Sequence, residues 1–463
     1  MSADNPSIIT PATPNRRTAA LNVAVIGTGI SGLSAAWLLS RRHRVTVYEQ
    51  ANYVGGHSNT VDIDIEGQSL PVDTGFIVYN PVNYPNLVSL FDHLDVPSKP
   101  SDMSFSVSKD NGNFEYAGTD LNGLLAQRRN IFRPRFLRML KDLLRFYDQA
   151  QSPGNRSEVT TMTLGQFLHD HNYSDAFVAD HLMPMGAAIW SSSVEQMMQF
   201  PAQAFMQFFN NHGLLQLNDR PEWRTVDGGS REYIRRLTAG FARNIHCNQK
   251  VVNVSRNNMS VTIRTAGGWE QKYDHVVFAC HSDQALQMLE KPTARESDVL
   301  GKLNYQPNTA VLHTDTTLMP KRKRAWASWN YLGSRGDRGE STLCVTYWMN
   351  LLQSLPTETP VLLTLNPITE IDPEKILRTF EYDHPIFDRQ AMDSQKDLWS
   401  LQGNLNSWFC GAYFGSGFHE DGIQAGLAVG EMLGGSERPW SIDNPSGRIG
   451  LGDLAPTIPA KAA

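Results

Sequence analysis

Leu21-Asn-Val-Ala-Val-Ile26 runs directly into Gly27-Thr-Gly29-Ile30-Ser31-Gly32, then into Leu33-Ser-Ala-Ala-Trp-Leu-Leu39 and, after a short turn, Arg44-Val-Thr-Val-Tyr-Glu49. The first run is β-branched and reads as a strand. The third repeats small and apolar residues as a helix does, and the last reads as a second strand that ends in an acid. The glycine spacing between them has a mechanical meaning. Gly27 permits a tight turn, Gly29 lets backbone approach a pyrophosphate, and Gly32 lets helix and strand pack closely. Amides at Ile30 and Ser31 then open the helix toward the phosphates, with the helix dipole behind them. Glu49 lies 17 residues after Gly32, where a carboxylate accepts hydrogen bonds from an adenosine ribose. The unit predicts a dinucleotide and does not by itself separate NAD from FAD.

The rest of the composition narrows the class. A chain of 463 residues exceeds one compact core, and 41% apolar with 19% charged residues is the balance of a folded globular protein. Net charge is −6, so no global basic field exists to hold nucleic acid. Cys247, Cys280, Cys344 and Cys410 are scattered with no CxxC pair, which argues against a zinc site and an oxidising compartment. Residues 1–20 are polar, carry three prolines and lack the apolar run of a secretory signal. No window offers about 18 unbroken apolar residues. The expected location is cytoplasmic, with contact to the inner membrane surface left open.

Further motifs point to the cofactor. Gly55-Gly56-His57-Ser58 follows the second strand, and Val72-Asp-Thr-Gly75-Phe76 comes soon after. Near the other end stand Trp408-Phe-Cys-Gly411-Ala412 and Glu420-Asp-Gly422-Ile423. With these residues the chain resembles the flavin amine oxidase superfamily, which includes protoporphyrinogen oxidases and phytoene-type desaturases, from about Val23 to Gly434. The resemblance implies FAD. It implies that Gly55, Gly56 and His57 stand near the pyrophosphate, that Val251 or Val252 holds the adenine by its backbone, and that Gly411 lies near the ribityl chain. It places Gly422-Ile423 at a helix start facing the flavin N1/C2=O edge, where a helix N-terminus stabilises the reduced flavin's negative charge. Two positions depart from the family pattern: Ala412 replaces an acid, and His57 replaces a permanently charged base.

The implied fold is α/β: a discontinuous Rossmann-type FAD-binding domain (GR2-like) with an α+β substrate domain. The FAD pieces are expected at 20–80, 225–300 and 400–440, the substrate domain at 81–224 and 301–399, and tails at 1–19 and 441–463.

The substrate side is less explicit. Family amine oxidases hold the amine between aromatic rings, one of which falls where Ile423 stands. They also carry a lysine in a strand that matches Thr309 to Asp315, and no lysine occurs there. Both departures speak against amine oxidation. The segment from Ala187 through Trp190, Met197, Phe200 and Phe205 to Phe209 reads either as helix core or as the wall of an apolar tunnel. In 127–148, seven basic residues face two acidic ones, and Phe136, Leu137, Leu140, Leu143, Leu144 and Tyr147 share a helical face. That helix either packs its stripe inward or lies on anionic lipid, and Lys321-Arg-Lys-Arg324 extends the basic character.

The style of Val72 to Asn80 resembles a bacterial subgroup associated with cyclopropane fatty-acid synthase-like methyltransferases, some members of which desaturate methyl-branched acyl chains. The expectation is therefore a dehydrogenase or desaturase moving a hydride from a lipid-like substrate to flavin N5, with a methyltransferase as partner. The alternatives are an amine or amino-acid oxidase, and a catalytically weak flavin-binding partner of the methyltransferase. His419 and His313 are the candidate bases. His169, Asp170, His171, Asp180 and His181 cluster without any metal-ligand spacing, so no metal is expected.

Overall fold

The computed structural model describes residues 19–151, 162–190, 194–211, 221–335 and 341–451. The opening motif folds as its pattern dictates: β1 (Asn22–Ile26), α1 (Ile30–Leu39) and β2 (Arg44–Tyr48) form a βαβ unit. Val23, Val25, Val45 and Val47 are almost wholly buried, so these strands are covered on both faces as parallel strands are. Five strands complete the parallel sheet, in the order Ser407–Phe409, His275–Phe278, β1, β2, Ile245–His246. They come from three stretches of chain far apart in sequence, held together by parallel backbone ladders and a shared buried core. A three-stranded antiparallel sheet (Val251–Arg256, Val261–Thr265, Glu270–Tyr273) stands beside it.

A seven-stranded sheet makes the other half. Its order is Ile376–Ile386, Asn304–His313, Leu362–Leu365, Ser341–Trp348, Trp329–Arg335, Phe105–Lys109, Phe114–Ala117, antiparallel except where Trp329–Arg335 meets Phe105–Lys109. Helices between 134 and 211 pack around a core of Phe146, Phe167, Phe177, Met197, Phe205 and Phe209. The aromatic and methionine segment is therefore mostly helix core, because these side chains fill one another's gaps. The side chains of Trp190 and Phe208 lie outside the described residues.

Two stretches sit differently from the expected division. The helix Pro85–His93, expected on the substrate side, buries Leu87, Leu90 and Phe91 in the same core as β1 and α1. Residues 441–451, expected as tail, are docked: Ile449 is buried in that core and Arg448 pairs with the buried Asp421 at 2.9 Å.

The C-terminal helix His419–Met432 lies along α1. Gly422, Gly426 and Gly430 recur every fourth residue on the contact face. A Cβ on Gly422 would strike Ile30 Cγ2, and one on Gly426 would overlap the Ser31 carbonyl and the Ser34 hydroxyl. Glycine here sets the distance between two helices.

Candidate active site

A cavity of about 870 Å³ opens where β1, β2, His275–Phe278 and Ser407–Phe409 end. Ligands bind at the carboxyl ends of the strands in such sheets. Gly27, Thr28, Gly29, Ile30, Ser31, Glu49, Gly56, His57, Gly75, Phe76, Val251, Val252, Gly411 and His419 all line it.

The three motif glycines divide the work as their spacing implies. Gly27 has φ +106°, and its Cβ would strike the Ala279 carbonyl. Gly32 does not line the cavity; a Cβ there would overlap the Gly27 carbonyl and crowd Ala279. Gly29 is the opposite case, since its Cβ would meet nothing within 4 Å. Its outer face is open space beside the free amides of the first turn of α1. Glu49 takes hydrogen bonds from Thr28 N (3.0 Å), Thr28 Oγ1 and Ala51 N (2.8 Å), which fix its carboxylate on the cavity wall. A carboxylate has about four acceptor positions, so capacity remains for a ribose hydroxyl.

Gly55 and Ser58 shape the second loop without lining the cavity. Gly55 has φ +133° and donates its amide to Thr28 Oγ1 at 3.1 Å. Ser58 Oγ bonds Tyr233 Oη and, at 2.9 Å, His419 Nε2. Gly422 and Ile423 also stay off the wall, contrary to expectation. The helix opens three residues earlier, at His419, so Gly422 N already donates to Phe418 O at 3.1 Å, and Ile423 is fully buried. Phe418 and His419 reach the cavity instead.

The two candidate bases separate. His313 lies outside the cavity and is fully buried. Its Nε2 meets Thr364 Oγ1 at 2.7 Å and its Nδ1 accepts from Asp315 N at 3.1 Å, so both ring nitrogens are engaged structurally. It is no catalytic candidate. His419 lines the cavity, but its Nε2 is shared by Ser58 and, at 3.0 Å, Tyr233. Burial pushes it down to about 3. A ring held this far below neutrality, with Nε2 already bonded, is a poor proton acceptor.

Sequence reasoning did not reach the histidines grouped about His57. His384 is 5.5 Å from the His57 ring and Tyr382 is 5.0 Å from it. His281 stacks on Tyr305 at 4.3 Å. All four line the cavity. Burial first, then the neighbouring His384, His281 and His419, hold His57 well below the usual imidazole range. The only advance signal was alternation: Tyr382 and His384, two apart in a strand, share a face.

Lys109 and Arg135 hold Asp180 at 2.7 and 2.6 Å, and His181 Nδ1 meets Tyr116 Oη at 2.9 Å. Among the described residues no group of three or more His, Cys, Asp or Glu is placed to hold a metal.

The residues present suit a flavin dinucleotide. The open face at Gly29 admits a diphosphate. His57 Nε2 and Tyr413 Oη are buried polar atoms on the cavity wall with no partner among the described residues. Such atoms are costly unless a ligand or water satisfies them.

The family model described as flavin containing amine oxidoreductase matches residues 30–378. Solved structures share the fold. A CLA-producing fatty acid isomerase from P. acnes superposes with TM-score 0.61 at 14% identity, over 89% of this chain and 98% of that one. Cyclohexylamine oxidase from Brevibacterium oxydans IH-35A gives 0.61 at 16%, over 89% and 99%. A putative protoporphyrinogen oxidase from Exiguobacterium sp. 255-15 gives 0.62 at 15%, over 90% and 99%. No curated protein sequence matches the chain.

Proposed function

The chain belongs to the flavin-containing amine oxidoreductases, a family of FAD-dependent enzymes, and from that premise we propose that it dehydrogenates an acyl chain or a similarly apolar lipid. The observation that carries this reading is the wall of the cavity away from the glycine loops. Ile77, Val78, Phe105, Met185, Leu363 and Leu365 line it. An apolar lining of this extent stabilises an alkyl chain by about 0.8 kcal/mol per buried methylene. Bound FAD supplies a two-electron acceptor at N5, so one substrate carbon gives up a hydride, its neighbour a proton, and a double bond remains.

The protein's own part is placement. Ile30, Ser31 and Gly56 fix the diphosphate end, Glu49 and Val251 the adenosine end. Phe76 and His419 form a flat, neutral surface in the wall. His57 Nε2, without a partner among the described residues, is left to bond the ligand, and the proton released passes to water.

Anaerobic incubation of the holoenzyme with phospholipids bearing methyl-branched, unsaturated acyl chains tests the reading. The expected result is bleaching of the flavin and one new double bond per flavin in the recovered fatty acids. A second reading, amine oxidation, draws on Glu381 and Asp383, carboxylates on the same wall. Glu381 is occupied by Thr309 Oγ1 at 2.9 Å, which weakens it as an ammonium site. Bleaching by amines with no lipid product would replace the first reading with the second.

A further inference from the structure

Eleven large apolar side chains stand exposed among the described residues, and five of them, Leu121, Ile131, Phe132, Leu137 and Leu144, fall within 121–144. Phe132 is 85% exposed. Leaving such a side chain in water forgoes about 1.5–3 kcal/mol of burial, so this concentration calls for a cause. The helix Pro134–Gln151 explains how they come to lie outside. Phe136, Met139, Phe146 and Tyr147 pack inward, while Leu137, Lys141 and Leu144 follow one another on the outward face at i, i+4 and i+7. The helix satisfies the protein core with one apolar row and keeps a second row outside.

The charge around that second row is one-sided. Arg128, Arg138 and Lys141 are exposed beside it. Arg129 and Arg133 hold the Asn113 carbonyl at 3.0 and 2.9 Å, and Arg322 holds the adjacent Gly112 carbonyl at 2.9 Å. The turn at 112–113 thus brings Arg322, which also pairs with the buried Glu115 at 2.6 Å, near Arg129 and Arg133 just ahead of the helix. Burial and then the like charges of Arg129 and Arg322 hold the Arg133 guanidinium below its usual range. Asp148 is the acid at the far end of the outward face, and Asp142 turns inward to the Ser174 amide at 2.9 Å. Seven basic residues against two acidic ones in 127–148 oppose the −6 of the whole chain.

We propose that this face docks on an anionic lipid bilayer, with Phe132, Leu137 and Leu144 in the interfacial layer and Arg128, Arg138 and Lys141 on the headgroups. Charge complementarity selects this occupant. A protein partner would want a contiguous apolar centre depleted of lysine, whereas here basic and apolar side chains alternate, as on helices that lie in a membrane interface. The face is also linked to the cavity wall. Arg135 pairs with Asp180 in the turn Val178–Leu182, which continues directly into Met183–Trp190, whose Met185 lines the cavity. Docking does not depend on the substrate reading above, because adsorption to vesicles is measured without turnover.

The holoenzyme is sedimented with vesicles of phosphatidylcholine alone and with phosphatidylglycerol admixed. It should pellet only with the anionic vesicles and be released by salt. Arg138→Glu with Lys141→Glu should lower the partition at least about tenfold. Phe132→Ser with Leu144→Ser should lower it by a similar factor, and both doubles should keep wild-type flavin absorbance, since every altered side chain is exposed. Equal adsorption to both vesicles, or to neither, overturns the proposal. A dimer in sedimentation velocity that Phe132→Ser disperses overturns it in favour of a second copy as occupant.

Discussion

The imidazole of His419 lies flat on the ring of Phe76, 3.7 Å between centroids and 13° from parallel. Its Nε2 is turned to Ser58 and Tyr233, so the ring is fixed at its face and at its edge. Tyr233→Phe removes one edge partner and leaves the other. The same hydroxyl also bonds Ser58, so urea unfolding should show a loss of about 1–3 kcal/mol, the usual worth of two buried hydrogen bonds. Because His419 is held to about 3, it is neutral throughout the working range. The kcat/KM profile of His419→Gln should therefore keep every inflection of the wild type. Loss of one near neutrality would make His419 the base after all.

Gly29 and Gly32, three residues apart, should respond oppositely to the same substitution. Gly32→Ala drives a methyl into the Gly27 carbonyl and should lower the melting temperature of the protein even stripped of flavin. Gly29→Ala meets no protein atom, so the stripped protein should melt as wild type. Its methyl points into the space where the diphosphate approaches, and flavin retention should fall at least about tenfold, a change of ~1.4 kcal/mol. Equal flavin retention in the Gly29 variant would remove the diphosphate from this loop.

How much of this was legible follows from the range of each constraint. Gly27, Gly29, Gly32 and Glu49 act within one βαβ unit, so spacing alone states their task. Gly422 misleads because a glycine near a helix start looks the same whether it faces a ligand or a neighbouring helix. The repeat Gly422, Gly426, Gly430 was the signal for packing, and α1, 400 residues away, is what it packs against. The seven-stranded sheet joins 105–117 to 304–386, a pairing that no local pattern encodes. His384 reaches His57 from that sheet, while His281 comes to the same cavity behind His275–Phe278 of the parallel sheet, so neither neighbour is local in sequence.

Acid should destabilise the protein before it denatures ordinary carboxylate networks. Burial holds His313 and His384 to about 4 and His419 to about 3. A histidine with a folded pKa below its unfolded value of about 6.5 contributes stability that is complete above 6.5 and is lost as pH falls toward the folded value. Each contributes a slope of about 1.4 kcal/mol per pH unit within that window. Asp73 runs the other way. Burial raises it to about 6, so it loses stability as pH rises from about 4 to 6 and offsets one histidine. The net expectation is a melting temperature that drops steadily from pH 6.5 to 5. His313→Gln, which alters no side chain of the cavity lining, should flatten that slope by about one proton.

Met185 gives the sharpest test of what the cavity is for. Its helix brings it to the cavity that Leu363 and Leu365 of the seven-stranded sheet also line, so a larger side chain there takes volume from a part of the lining that belongs to no glycine loop. Met185→Trp should retain flavin at the wild-type level. If an acyl chain extends along this wall, each methylene displaced forfeits about 1–3 kcal/mol of transition-state binding, so kcat/KM for long chains should fall at least about tenfold. Short-chain analogues, which do not reach Met185, should be turned over as before. Equal losses for long and short substrates would mean that the wall only supports the fold.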